Sequence, residues 1–214
     1  MGNMSAKRMA GLSIMWGPVI TLICYFAQQL VILAGVDWSD AAANKDAWVA
    51  GGSLTVITSL IIPIALFMLV YGVFHILDEM RDGGNGDALA RYAKPMMLIA
   101  LAGYAYANGF PIVVVNNPDM GVDAIYAQWA IFSMSGILFT LAFLITFSAM
   151  GSRDEYKGTF NTVAIWVAVL AVACSIIGFV NSGLGGTMTQ IVGVTYLVHT
   201  VYAISLGRGM LAGE

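Results

Sequence analysis

Apolar residues fall in six long runs, approximately 12–36, 52–77, 95–115, 125–150, 161–182 and 188–208, and polar residues collect between them. Each run reaches the ~20 residues that a helix needs to cross the hydrocarbon of a bilayer. The pattern predicts an all-α polytopic membrane bundle of six transmembrane helices, with residues 1–214 as a single integral membrane domain.

Composition strengthens that reading. The chain is 59% hydrophobic and 10% charged, against about 25% charged in a soluble domain. Lipid is therefore the expected partner of most of its surface. The net charge of -3 is small and scattered, so nucleic acid is not expected as a partner. The first apolar run follows Lys7 and Arg8 in the manner of a signal peptide. It is too long for a typical cleaved segment and reads as a retained helix, with cleavage near Ala34–Gly35 as the alternative.

Basic residues orient the bundle. With the N-terminus inside, Lys7, Arg8, Arg81, Arg91, Lys94, Arg153, Lys157 and Arg208 all fall on the cytoplasmic side, and only Lys45 lies outside. The expected topology is N-in and C-in. The segment 73–94 carries Asp78, Glu79, Arg81, Asp82, Asp87, Arg91 and Lys94, and residues 78–94 become the largest inner connection. Gly83, Gly84 and Gly86 suit its turn, Asp87 suits a helix cap, and Pro95 suits the start of the third span or a local kink. A calcium loop is not expected there, because the alternating ligands and distal Glu are missing. In the outer connection 37–51, Trp38 and Trp48 are expected at the lipid headgroups, with Tyr126 and Trp129 extending the belt.

Within the fifth run, Ala164, Ala168, Ala171, Ser175, Gly178 and Ser182 recur every three or four residues. Such a small-residue seam lets helix backbones approach closely. Ala100, Gly103, Ala107 and Gly109 make a second cluster in the third run. The third and fifth helices are accordingly expected to be among the least lipid-exposed. Pro63 is expected to interrupt the second helix, and Asn108-Gly109-Phe110-Pro111 to Asn116-Asn117-Pro118 to unwind the outer end of the third.

No Asp, Glu, Lys or Arg occupies the middle of a run, which disfavours transport through a charged relay. Instead, Gln28, Gln29, Asn108, Gln128, Asn181 and Gln190 all fall in the outer half. Buried amides need partners. Either they satisfy one another between helices, or they line an outward-facing pocket for a small neutral ligand, with Tyr104 and Tyr106 as walls. His75 and His199 are the only histidines. A bis-histidine haem needs both at matched depth, and their spacing from the helix ends differs. His199 with Tyr202 reads more simply as a hydrogen-bonded core pair. Cys24 and Cys174 read as packing residues, the methionines are scattered rather than clustered, and no catalytic or phosphate-binding motif occurs. No cofactor and no metal are expected.

Lys7-Arg8-Met9-Ala10-Gly11-Leu12 leading directly into the first helix, with a charged inner hairpin at Asp78–Lys94, resembles an uncharacterised six-helix bacterial membrane family. The resemblance implies a six-helix bundle and no activity. The expected location is the cytoplasmic membrane of a prokaryote, as a multi-pass protein. Three functions are carried forward. The first is a non-catalytic accessory or assembly subunit, associating with other membrane subunits or with itself. The second is a channel, carrier or receptor for a small neutral solute. The third is a haem-binding redox protein using His75 and His199.

Overall fold

The computed structural model describes residues 4–213, apart from the side chain of Ser182. The described chain is helical, and six of its helices are long and apolar enough to span a membrane. They are α1 (Ala6–Ala27), extended by a π-helical turn at Gln28–Ile32, then α2 (Ala41–Glu79), α3 (Asp87–Asn116), α4 (Asp123–Gly151), α5 (Thr159–Val180) and α6 (Gly185–Ala212). The helices outrun their apolar stretches because polar caps hold the ends. Ser5 Oγ accepts from the Arg8 amide at 3.0 Å. Asp40 Oδ1 accepts from the amides of Ala42 and Ala43 at 3.0 and 2.9 Å, pairing donors that a helix start otherwise leaves free.

Each helix packs against its neighbours in sequence, and α6 returns to pack on α1. The six therefore close into a ring, across which only α2 and α4 make helix contacts of any extent among the described residues. One end of the ring carries the termini and the α2–α3 and α4–α5 connections. We call this the terminal end, and the opposite one the cap end.

The ring closes through glycines. A methyl group on Gly17 would meet the Leu69 amide nitrogen at 2.6 Å and the Ala65 carbonyl at 2.7 Å, and one on Gly207 would meet the Gly11 carbonyl at 2.6 Å. So α1 lies backbone to backbone with α2 on one side and with α6 on the other. Lipid tails offer no hydrophobic drive between helices, so this close approach and its dispersion contacts supply the attraction.

Toward the terminal end, α2, α3 and α4 pack closely on one another. Leu77, Met80, Ala90, Ala93, Met97, Ala149 and Met150 are buried in one apolar cluster contributed by α2, α3 and α4. The outer faces are apolar as well, with Trp166, Val180, Leu30 and Tyr106 all prominently exposed. A soluble protein would not tolerate that surface; it is consistent with an integral membrane protein.

Several expectations are corrected. The break in α2 lies at Gly52 (φ 51°, ψ -122°), and no non-helical dihedral marks Pro63. Glycine reaches positive φ without strain, and Thr55 Oγ1 donates to the Trp48 carbonyl at 2.9 Å across the break. The cap end of α3 does not unwind; the helix runs to Asn116 with Pro95 and Pro111 inside it. One lost hydrogen bond at a proline costs less than exposing a whole turn of backbone to hydrocarbon. Asp87 does not cap α3. Gly86, at φ 83°, takes the cap position, while Asp87 holds Arg91 Nε at 2.9 Å.

Trp48 is not a headgroup anchor either. At 4% exposure it is packed in a small cluster with Ile32, Leu33, Val114 and Ile125. The segment 41–51 folds as a helix, and Lys45 Nζ ties it to the α3–α4 connection by donating to the Pro118 and Met120 carbonyls, both at 2.9 Å. Finally, α5 is the least enclosed span: 22% of its most apolar window is buried, against 50% for α2 and 39% for α3. Small residues permit close approach on one face only, and the other faces of α5 carry large exposed side chains such as Trp166 and Phe179.

Candidate functional site

The ring is hollow along most of its length. A cavity of about 1080 Å³ runs from Asp37, Trp38 and Gly183 near the cap end down to Ile76, Met150 and Leu206. Its wall is largely aromatic and aliphatic, with polar groups at three levels.

Nearest the cap end lie Gln28, Gln29, Asn108, Gln128 and Gln190, all lining the cavity. Gln28 is placed by the π-turn, where the Leu33 amide reaches back five residues to the Gln28 carbonyl at 2.8 Å. The wider turn inserts a residue and re-aims the side chains around it. Gln28 Nε2 then donates to Thr58 Oγ1 at 3.1 Å and to Ser59 Oγ at 3.3 Å on α2. Thr58 spends its own proton on the Leu54 carbonyl at 2.8 Å, which leaves its oxygen free to accept. Asn108 Nδ2 donates to the Tyr104 carbonyl at 2.9 Å, one turn back on α3. Gln128 Oε1 is buried and has no hydrogen-bond partner. These amides do not bond to one another.

Asn181 stands apart. It does not line the cavity, and its Oδ1 accepts from the Gly183 amide at 3.1 Å to organise the α5–α6 turn. Tyr106 is no wall, being 73% exposed on the outer surface of α3.

At mid-depth, the hydroxyls of Tyr104 on α3 and Tyr196 on α6 meet at 3.4 Å. Phe132 and Phe139 present their rings edge-on to Tyr104, at 5.2 and 5.4 Å between centroids. Gly136 lines the wall beside the Tyr104 hydroxyl.

The third level holds His199, and the lining continues beyond it to Tyr202, Ala203 and Leu206. Its Nε2 lies 3.3 Å from the Ala164 carbonyl on α5. A carbonyl only accepts, so Nε2 carries the proton and Nδ1 is the lone-pair nitrogen. Phe143 and Phe147 pack on the imidazole at 6.1 and 5.1 Å. Tyr202 does not pair with His199. Its hydroxyl donates to Asn161 Oδ1 at 3.1 Å, and Asn161 Nδ2 donates to the Phe147 carbonyl at 3.0 Å. One buried asparagine thus joins α4, α5 and α6. Sequence reasoning passed over Asn161 and Tyr196; an amide at the very start of an apolar run was the available signal for the first.

His75 and His199 are not brought together. His75 lies outside the cavity lining, with Nε2 3.4 Å from Glu79 Oε1 on the next turn of α2. No group of three or more His, Cys, Asp or Glu that could hold a metal ion forms among the described residues. On α5, Ala164, Ala168 and Ala171 are buried, and Ser175 and Gly178 line the cavity. The seam faces α6, through the Ala164–His199 contact and the approach of Gly178 to Met188. The side chain of Ser182 lies outside the described residues.

At the terminal end the charged segment is spent on structure. Arg153, from the α4–α5 connection, donates through both terminal nitrogens to Asp82 at 2.9 and 2.5 Å and to the Met80 carbonyl at 2.8 Å. These bonds, with the Gly84 amide, hold the Asp82 carboxyl well below the usual carboxylate range. Lys94 pairs with Asp78 at 2.6 Å and sits 4.8 Å from the centre of the Phe74 ring.

No protein-family profile, curated protein or solved structure matches the chain.

Proposed function

We propose that this is a solute-binding membrane protein, a receptor or carrier, which takes one small, neutral, largely apolar molecule into the hollow of its helix ring. One observation carries the reading: the ring encloses about 1080 Å³ whose lining holds no Lys, Arg or Glu, and a single Asp, Asp37, at the mouth. An ion entering that space would lose its hydration without gaining a counter-charge. A neutral molecule would bury apolar surface and find a few polar groups to fix its orientation. With the N-in, C-in topology that the basic residues support, the mouth faces the outer side of a prokaryotic cytoplasmic membrane.

One motive for the assembly-subunit reading, the α5 seam, is used against α6 inside the ring; the missing catalytic motifs and the short connections suit a subunit and a solute-binding protein alike. The haem reading loses its geometry, because only one of the two histidines reaches the cavity.

The two cysteines supply the test. Cys174 lines the cavity, whereas Cys24 is buried away from it. In membranes, N-ethylmaleimide should label Cys174 faster than Cys24, and Ser133→Trp, which fills the cavity, should remove the difference. Equal, slow labelling of both thiols in the folded wild type defeats the proposal. Orientation is read separately. Asp37→Cys, with Cys24 and Cys174 changed to Ser, should react with a membrane-impermeant thiol reagent added outside, and reaction only after permeabilisation reverses the topology.

A further inference from the structure

We infer that the deep level of the cavity is a hydroxyl-recognition site, and that the solute is a neutral alcohol or phenol carried on an apolar body. The inference rests on the binding reading above and names the chemical class that fits it.

Two polar atoms at this level lack partners. His199 is 8% exposed, and its Nδ1 is buried with no hydrogen bond. Thr146 Oγ1 is likewise buried and unpaired. Both residues line the cavity, one from α6 and one from α4. They stand at matched depth, since Phe143 and Phe147, in the same stretch of α4 as Thr146, pack against the His199 ring.

The demand these atoms make is specific. His199 spends its proton on the Ala164 carbonyl, so Nδ1 can only accept. Apart from Asp37 at the mouth, the lining offers no carboxylate to stabilise an imidazolium, so the ring is neutral. Thr146 can both donate and accept. A hydroxyl completes the pair, donating to Nδ1 while accepting from Thr146 Oγ1. An ether, ester or ketone has no proton for Nδ1. A carboxylate would set its charge against the lone pair, and an ammonium would bring a charge without a partner. The body of the ligand would lie among Phe139, Phe143, Tyr104 and Tyr196, whose rings favour an aromatic or otherwise planar apolar group. A site built to bond a hydroxyl discriminates strongly against analogues lacking one, because its buried polar atoms are then left unpaired.

The test compares 1-naphthol with 1-methoxynaphthalene, which keeps the ring and oxygen but loses the proton. Binding is measured by calorimetry on the full chain in lipid nanodiscs, with empty nanodiscs subtracted. The wild type should prefer 1-naphthol by about tenfold or more. His199→Leu should bind both equally, and His199→Gln, which restores an acceptor, should recover part of the preference. Should His199→Leu fail to fold, the wild type still decides. With only two histidines in the chain, ¹⁵N labelling resolves the His199 ring, and its Nδ1 resonance should move with 1-naphthol and stay with the ether. Equal binding of both probes by the wild type, with no Nδ1 response, overturns the hydroxyl site but leaves the cavity as a binding site. Binding of neither probe overturns the binding reading itself, and this inference with it.

Discussion

The hydroxyls of Tyr104 and Tyr196 meet at 3.4 Å across the hollow of the ring, although α3 and α6 share no helix interface. Tyr104 lies 12 residues from the end of α3 at Asn116, and Tyr196 lies 11 from the start of α6 at Gly185. At 1.5 Å per residue both sit about 17 Å below the cap end, near the middle of a bilayer core. This tyrosine bridge lies between the amide level of the cavity and the His199 level.

The bridge is long for a hydroxyl–hydroxyl bond, so its loss should be mild. Tyr104→Phe should lower stability by about 0.5–1 kcal/mol, with Tyr196→Phe similar and the double variant no worse than either single one. Denaturation in mild detergent, run as a double-mutant cycle, reads the coupling directly. Additive losses would mean the two hydroxyls act through other partners.

Gly17 and Gly109 should respond oppositely to the same methyl group. At Gly17 it meets backbone atoms of α2 at 2.6 and 2.7 Å, while at Gly109 nothing lies within 4 Å. Gly17→Ala should destabilise by about 1–3 kcal/mol, because a backbone cannot rotate out of the way. Gly109→Ala should stabilise by roughly 0.5–1 kcal/mol through helix propensity. Melting temperatures of the two variants in detergent check both signs.

Gln28 and Gln128 line the same level of the cavity but differ in partners. Gln28→Leu removes two donated bonds to Thr58 and Ser59 and should cost about 0.6–1.7 kcal/mol, the range of side-chain hydrogen bonds between membrane helices. Gln128→Leu removes a buried oxygen that bonds to nothing and should leave stability unchanged or raised. Thermal unfolding of the two variants separates an amide that packs helices from one whose oxygen bonds to nothing.

The Asp82–Arg153 pair should make the terminal end acid-sensitive. The folded carboxyl titrates below its unfolded value of about 3.9, so its contribution is present above that pH and is lost as pH falls through the depressed folded value. The wild type should lose melting temperature on acidification below about pH 4, and Asp82→Asn should lose less over the same interval while starting lower. Both side chains reach solvent, so added salt should shrink the difference at neutral pH.

The spans themselves were legible in the sequence, because a bilayer imposes length and polarity on every helix that crosses it. Boundaries moved where caps did the work, as at Ser5 and Asp40. The amide cluster was legible as residues and not as a site: Gln28, Gln29, Asn108, Gln128 and Gln190 line the cavity, Asn181 turned to its own loop, and Tyr106 faced outward. Hydropathy cannot say which side of an apolar helix points inward, since lipid and protein interior look alike to it. The α5 seam misled for the same reason, because small residues mark one close neighbour and do not report how many neighbours a helix has.

By itself the sequence determined that the chain is a membrane protein of six helices, because the absence of water in hydrocarbon leaves a long apolar run no other way to satisfy its backbone. Only the tertiary structure decided that the helices close into a ring. That closure depends on where Gly207 of α6 meets the backbone of α1 at Gly11, at the other end of the chain, and such a contact leaves no periodic trace in either helix alone. The cavity follows from the closure, and with it the place of His199 and Tyr196 in its lining.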